Sequence, residues 1–147
     1  MEHILLWGSL WGLEEATLGH VLHLFPFKIG WFFWFPLSYF FMRQVYHKTN
    51  RAGSVLYTAL LAAAFKLIDL LLPARLDMIL NPAAAILLEG CAVFALCRIW
   101  EKRPTLAAFP AFSFAGTIGV SLLQGVLYLA YVFIISSLTP VIPPIKD

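Results

Sequence analysis

Charge is scarce in this sequence. Asp, Glu, Lys and Arg make up 12% of its 147 residues, about half the roughly 25% of an ordinary soluble domain. With so little solubilising charge, a water-facing surface is hard to build. The formal net charge of +2 is small, and no Lys/Arg block alternates with aromatic residues. Nucleic acid is therefore excluded as a partner. Cysteine is nearly absent too. Cys91 and Cys97 are six apart in one apolar run, about 120° from facing each other on a helix. They read as small apolar core residues rather than as a disulfide framework or a redox pair.

Catalytic and targeting signatures are also missing. No Gly-rich phosphate loop and no His-Glu-x-x-His zinc motif occurs, and Ser9, Ser113 and Ser121 carry no nucleophile motif around them. Enzyme chemistry is thus the least supported class. The opening Met1-Glu2-His3 lacks a basic n-region, and the first apolar run holds two glutamates and two histidines. That run reads as a first membrane span, not as a cleavable signal peptide.

What the chain does have is long apolar runs. It is 61% hydrophobic with a mean hydropathy of +0.84, the pattern expected when lipid is the solvent. The expected fold is all-α: one polytopic transmembrane helical domain over residues 1–147, with five or six transmembrane helices. Spans are expected near 4–23, 29–46, 54–73 and 82–100. A last stretch, 105–139, is long for one span and short for two, with a break at 116–119 where Gly116 and Gly119 fall. Asn81-Pro82 reads as an N-cap followed by proline at the first helical position.

Arg43, Lys48 and Arg51 follow the second span, and Arg98, Lys102 and Arg103 follow the fourth. By the positive-inside rule these loops and the N-terminus are cytoplasmic, in the plasma membrane of a prokaryote. The second span is crowded with aromatics, including Trp31, Phe32, Phe33, Trp34, Tyr39, Phe40 and Phe41. Interfacial anchoring and lipid-facing bulk account for these rings. Pro36 among them is placed to kink the helix.

Five ionisable residues interrupt the spans: Glu14, Glu15, Lys66, Asp69 and Glu89. Each costs roughly 2.5–3.5 kcal/mol on insertion scales, so such groups face a bundle interior or a cavity. A 100° step per residue puts Gly8, Gly12, Glu15, Gly19 and His23 on one stripe of the first span. The three glycines allow a neighbouring helix to approach closely. Glu14 falls roughly opposite. Lys66 and Asp69 share one face of the third span, as a self-neutralising pair or as part of a ligand site. Glu89 has no cation nearby in sequence and needs a partner from another helix, a proton or a ligand. Gln124, Tyr128 and Tyr131 follow i, i+4, i+7 spacing, for interhelical hydrogen bonding or ligand contact.

With a rise of about 1.5 Å per residue, Glu15, Lys66 and Glu89 all fall in the outer half of the bilayer, below His20 and His23. Lys66 offsets one carboxylate, leaving an excess of negative charge that favours a cation. The expected function is binding of a small cationic or amine-bearing solute, or a metal ion, by Glu15, Lys66, Asp69, Glu89 and Gln124. His20 and His23 are candidate ligands for a divalent metal ion. A haem, which ideally takes histidines from facing helices, fits less well.

In size, helix count and outer-half polar site the chain resembles the substrate-capture subunits of energy-coupling-factor vitamin and metal transporters. The resemblance is one of architecture, without a shared motif. It implies solute capture and a separate nucleotide-hydrolysing chain. The expected partners are the lipid bilayer, the small solute or cation, and a membrane protein partner or a second copy. The competing readings are an accessory or proton-conducting subunit of a larger membrane complex, and a metal-dependent membrane enzyme.

Overall fold

The computed structural model describes the backbone of residues 1–23, 30–71, 76–103, 105 and 110–138. Side chains are described in these segments except at 18–23, 30–34, 77–78, 110–113 and 138. The described chain is all-helical. Its helices are α1 (Glu2–His23), α2 (Gly30–Thr49), α3 (Gly53–Leu67) continued by a 3-10 segment (Ile68–Leu71), α4 (Asp77–Lys102) and α5 (Pro110–Leu138). Among the described residues three stretches are long and apolar enough to cross a membrane: Gly53–Leu71, Ile79–Lys102 and Phe114–Ser137. α5 runs unbroken through Gly116 and Gly119, where the sequence suggested a break.

The helices form one bundle in which α3 packs against α1, α2 and α4, and α5 packs against α4 and α2. Small residues set the closest approaches. A Cβ on Gly8 would lie 2.9 Å from Leu61 Cδ2, and one on Gly12 would lie 2.7 Å from Phe65 Cβ. Moving from Gly8 to Gly12 advances the contact from Leu61 to Phe65, so α1 and α3 run parallel. Gly90 of α4 presses on Ala59 of α3. Lower down, the Ala52 N–H donates to Glu101 Oε1 at 2.6 Å. The two contacts together make α3 and α4 antiparallel. Leu96 against Gly116 and Asn81 against Tyr131 do the same for α4 and α5.

Two helix ends follow from local chemistry. α2 stops where Asn50 turns into the left-handed region at φ 51°, a conformation Asn tolerates better than most residues. Its N–H returns to the Tyr46 carbonyl at 2.7 Å. α4 corrects the sequence expectation at Asn81-Pro82. The helix already begins at Asp77, because the Leu76 carbonyl accepts the N–H groups of Ile79 and Leu80. Pro82 therefore lies inside α4 and removes only one backbone bond, while the Asn81 side chain serves α5 instead.

The bundle differs from a soluble protein chiefly in its surface. Phe114, Leu122, Val126, Leu129 and Phe133 are exposed along α5. Ser38, Ser54, Thr58, Glu89 and Gln124 are buried. An apolar exterior around a partly polar interior is the arrangement lipid selects, because only outside groups must dissolve in hydrocarbon.

Candidate functional site

The register of the helices places the ionisable side chains at two levels. Call the end holding Ala52 and Glu101 the lower end. α1 and α3 rise from it, and Glu15, three residues beyond Gly12, comes level with Ile68, three beyond Phe65. At this upper level Lys66 Nζ lies 2.8 Å from Asp69 Oδ2, with both side chains largely shielded. Lys66 also lies within electrostatic reach of Glu15, whose carboxyl is beside the Trp11 indole. The indole is wholly buried. The structure thus joins Glu15, Lys66 and Asp69, with Trp11 as a neighbour.

Glu89 sits lower. It precedes Gly90, which meets Ala59, so on antiparallel helices it comes level with Leu60. That is about 9 Å below Lys66 at a rise of roughly 1.5 Å per residue. Side-chain direction narrows the gap to the upper level. Cα–Cβ bonds tilt toward a helix N-terminus, so glutamates on rising α1 lean down and Glu89 on descending α4 leans up. Glu14 and Glu15 both lie within electrostatic reach of Glu89.

The Glu89 side chain is buried, at 4% exposure. The Ser38 hydroxyl of α2 is its hydrogen-bonding neighbour, and its Oε2 atom has no hydrogen-bond partner among the described residues. Ser38 Oγ meanwhile lies 3.0 Å from the Phe35 carbonyl, to which it donates.

Gln124 belongs to this lower level. Seven residues before Tyr131 it faces Leu88, seven after Asn81, and the Gly116–Leu96 contact gives the same register. Its side chain is 1% exposed, yet neither Oε1 nor Nε2 has a partner among the described residues. Since α5 packs on α4 and α2, a buried Gln124 faces those two helices. Gly125 next to it contacts Phe35, one turn from Ser38.

Glu14 differs most from the sequence reading. Periodicity sets it roughly opposite the inward stripe, but both its carboxyl oxygens are buried and unpartnered among the described residues. α1 packs on both α2 and α3, so its covered arc is wider than the glycine stripe alone.

The side chains of His20 and His23, and with them the metal-ligand expectation, lie outside the described residues, as do the surroundings of Gly19. Among those described, no group of three His, Cys, Asp or Glu is arranged to hold a metal ion. Cys91 is exposed, Cys97 is buried and both are free.

Sequence reasoning missed Ser38 and Trp11. Ser38 carried a usable signal, as the one small hydroxyl in a long aromatic run. Trp11 carried none, because an apolar ring on a span is as easily lipid-facing.

Comparisons with known proteins find no matching family model, no similar curated protein and no similar solved structure.

Proposed function

We propose that this chain is a multi-pass membrane protein whose helix bundle captures a small cationic or amine-bearing solute, as a transporter or its substrate-binding subunit. α1 and α2 cross the bilayer with α3, α4 and α5, giving five spans. At 22 and 20 residues they have about the length a span needs, and they pack in the same bundle. The end carrying Arg43, Lys48, Arg51, Arg98, Lys102 and Arg103 faces the cytoplasm.

One observation carries the reading. Glu89 and Gln124 are buried at one level with polar atoms that have no partner among the described residues. An unpaired buried polar group costs about 1–3 kcal/mol, and a charged one more. A ligand that supplied the missing partners would recover that cost on binding. The charge balance sets its sign: four carboxyl groups, Glu14, Glu15, Asp69 and Glu89, stand against one ammonium, Lys66, which pairs with Asp69. A positive solute lowers the electrostatic energy of such a site, and an anion raises it.

Native mass spectrometry of the protein, gently extracted from its own membrane, tests this. The expected result is a mass excess equal to a small organic cation, lost in Glu89→Gln. A bare chain released from larger assemblies would instead favour an accessory-subunit role.

A further inference from the structure

We infer that the Glu89 level binds a primary ammonium group whose neighbouring atoms include a hydrogen-bond acceptor, as in an amino-amide or amino-alcohol. This rests on the proposed binding function and specifies its ligand. An alkylammonium has three N–H donors and no acceptor. Three helices offer acceptors at matching height: Glu89 Oε2 from α4, Gln124 Oε1 from α5 and Ser38 Oγ from α2. The first two are unpartnered among the described residues. Ser38 has one proton to give, to the Phe35 carbonyl or to the Glu89 carboxylate, and in either case its oxygen lone pairs remain to accept.

The fourth group defines what lies beside the amine. Gln124 Nε2 is a buried donor without a partner among the described residues. It cannot serve the ammonium, which accepts nothing. A carbonyl or hydroxyl oxygen adjacent to the amine would satisfy it. Among the described residues this level also offers a divalent ion only one carboxylate beside two neutral oxygens, short of the roughly six to eight oxygens calcium takes and without the imidazole or thiolate of zinc sites. A quaternary ammonium fits worse, having no N–H to donate.

The test uses the full chain in lipid nanodiscs, with thermal unfolding read against four probes: glycinamide, methylammonium, tetramethylammonium and Mg²⁺. Glycinamide is expected to stabilise at the lowest concentration. Methylammonium, lacking the acceptor, should need about tenfold more, as for one lost hydrogen bond. Tetramethylammonium and Mg²⁺ should give no saturable shift. Gln124→Met should remove the preference for glycinamide over methylammonium, and Glu89→Gln should weaken both by about tenfold or more.

The ranking of probes on the unsubstituted chain needs no variant, so a misfolded substitution does not blunt the test. Equal responses to methylammonium and tetramethylammonium, or to glycinamide and methylammonium, overturn the inference. A Glu89-dependent occupant that proves to be Mg²⁺ or a quaternary ammonium overturns it too, while leaving cation capture standing. No Glu89-dependent occupant and no Glu89-dependent response to any probe would remove both.

Discussion

The Tyr131 hydroxyl donates to the Asn81 carboxamide oxygen across 3.0 Å, joining the last helix to α4. This bond and the Gly116–Leu96 contact fix the register that brings Gln124 level with Glu89. Tyr131→Phe removes it with little change of shape. Interhelical hydrogen bonds in membranes contribute about 0.6 kcal/mol on average, so a small fall in thermal stability is expected. Asn81→Leu should lose a similar amount, and the double variant should lose less than the sum.

Gly90 of α4 lies so close to Ala59 of α3 that an added Cβ would clash with it. Any side chain there must push the helices apart, so Gly90→Val should cost about 1–3 kcal/mol, as overpacking does. Gly119 is the contrast, with nothing among the described residues within 4 Å of an added Cβ. Gly119→Ala should be neutral or stabilise by up to about 1 kcal/mol through helix propensity. Unfolding of the two variants in nanodiscs would separate close packing from incidental glycine.

Lys66 and Asp69 form an ion pair shielded from water on one turn. Lys66→Met strands Asp69 and brings Glu15 nearer to unrelieved negative charge. A loss of about 1.5–3 kcal/mol is expected, the range for hydrogen bonds to charged groups. Asp69→Asn in the Lys66→Met background should restore part of it, measured as a double-mutant cycle. A Lys66→Met variant as stable as the parent would mean the pair contributes nothing.

At the lower end, Glu101 accepts from the Ala52 N–H at 2.6 Å and from Arg98 at 2.7 Å. One carboxylate thus clamps the turn between α2 and α3 onto the end of α4. Glu101→Gln should speed hydrogen exchange at the Ala52 amide while leaving the helices protected.

His47 near the end of α2 has its pKa lowered, first by desolvation and then by the Arg43 guanidinium. Arg43 Nε donates to His47 Nε2 at 3.2 Å, which requires the unprotonated nitrogen. A folded pKa below the unfolded value means the unfolded chain binds more protons, so stability rises with pH. This contribution is present above the ordinary histidine pKa of about 6.5 and is lost as pH falls below it. An NMR titration of His47 should give a midpoint below that value, moving up in Arg43→Gln.

Some of the site was legible early because its energetics are local. An ionised Glu89 in an apolar run demands a partner whatever surrounds it, and Lys66 three residues before Asp69 must share its face. Glu14 was not legible, since periodicity gives an angle around one helix but not how many neighbours cover it. Ser38 was hidden because its role depends on Glu89, 51 positions away in the chain. Pro82 misled because proline favours a first turn, whereas here the Leu76 carbonyl had already begun the helix.

By itself the sequence determined the helical class, three runs long and apolar enough to cross a bilayer and the identity of the charges that interrupt the apolar stretches. Those follow from transfer energies and from backbone groups that must bond within their own segment. The tertiary structure decided the rest: α1 parallel to α3, Gly90 against Ala59, and Glu89, Ser38 and Gln124 at one height. Register between helices is set by which small residues meet and which side chains bond across the gap. No single segment encodes that meeting, so only the packed bundle could decide it.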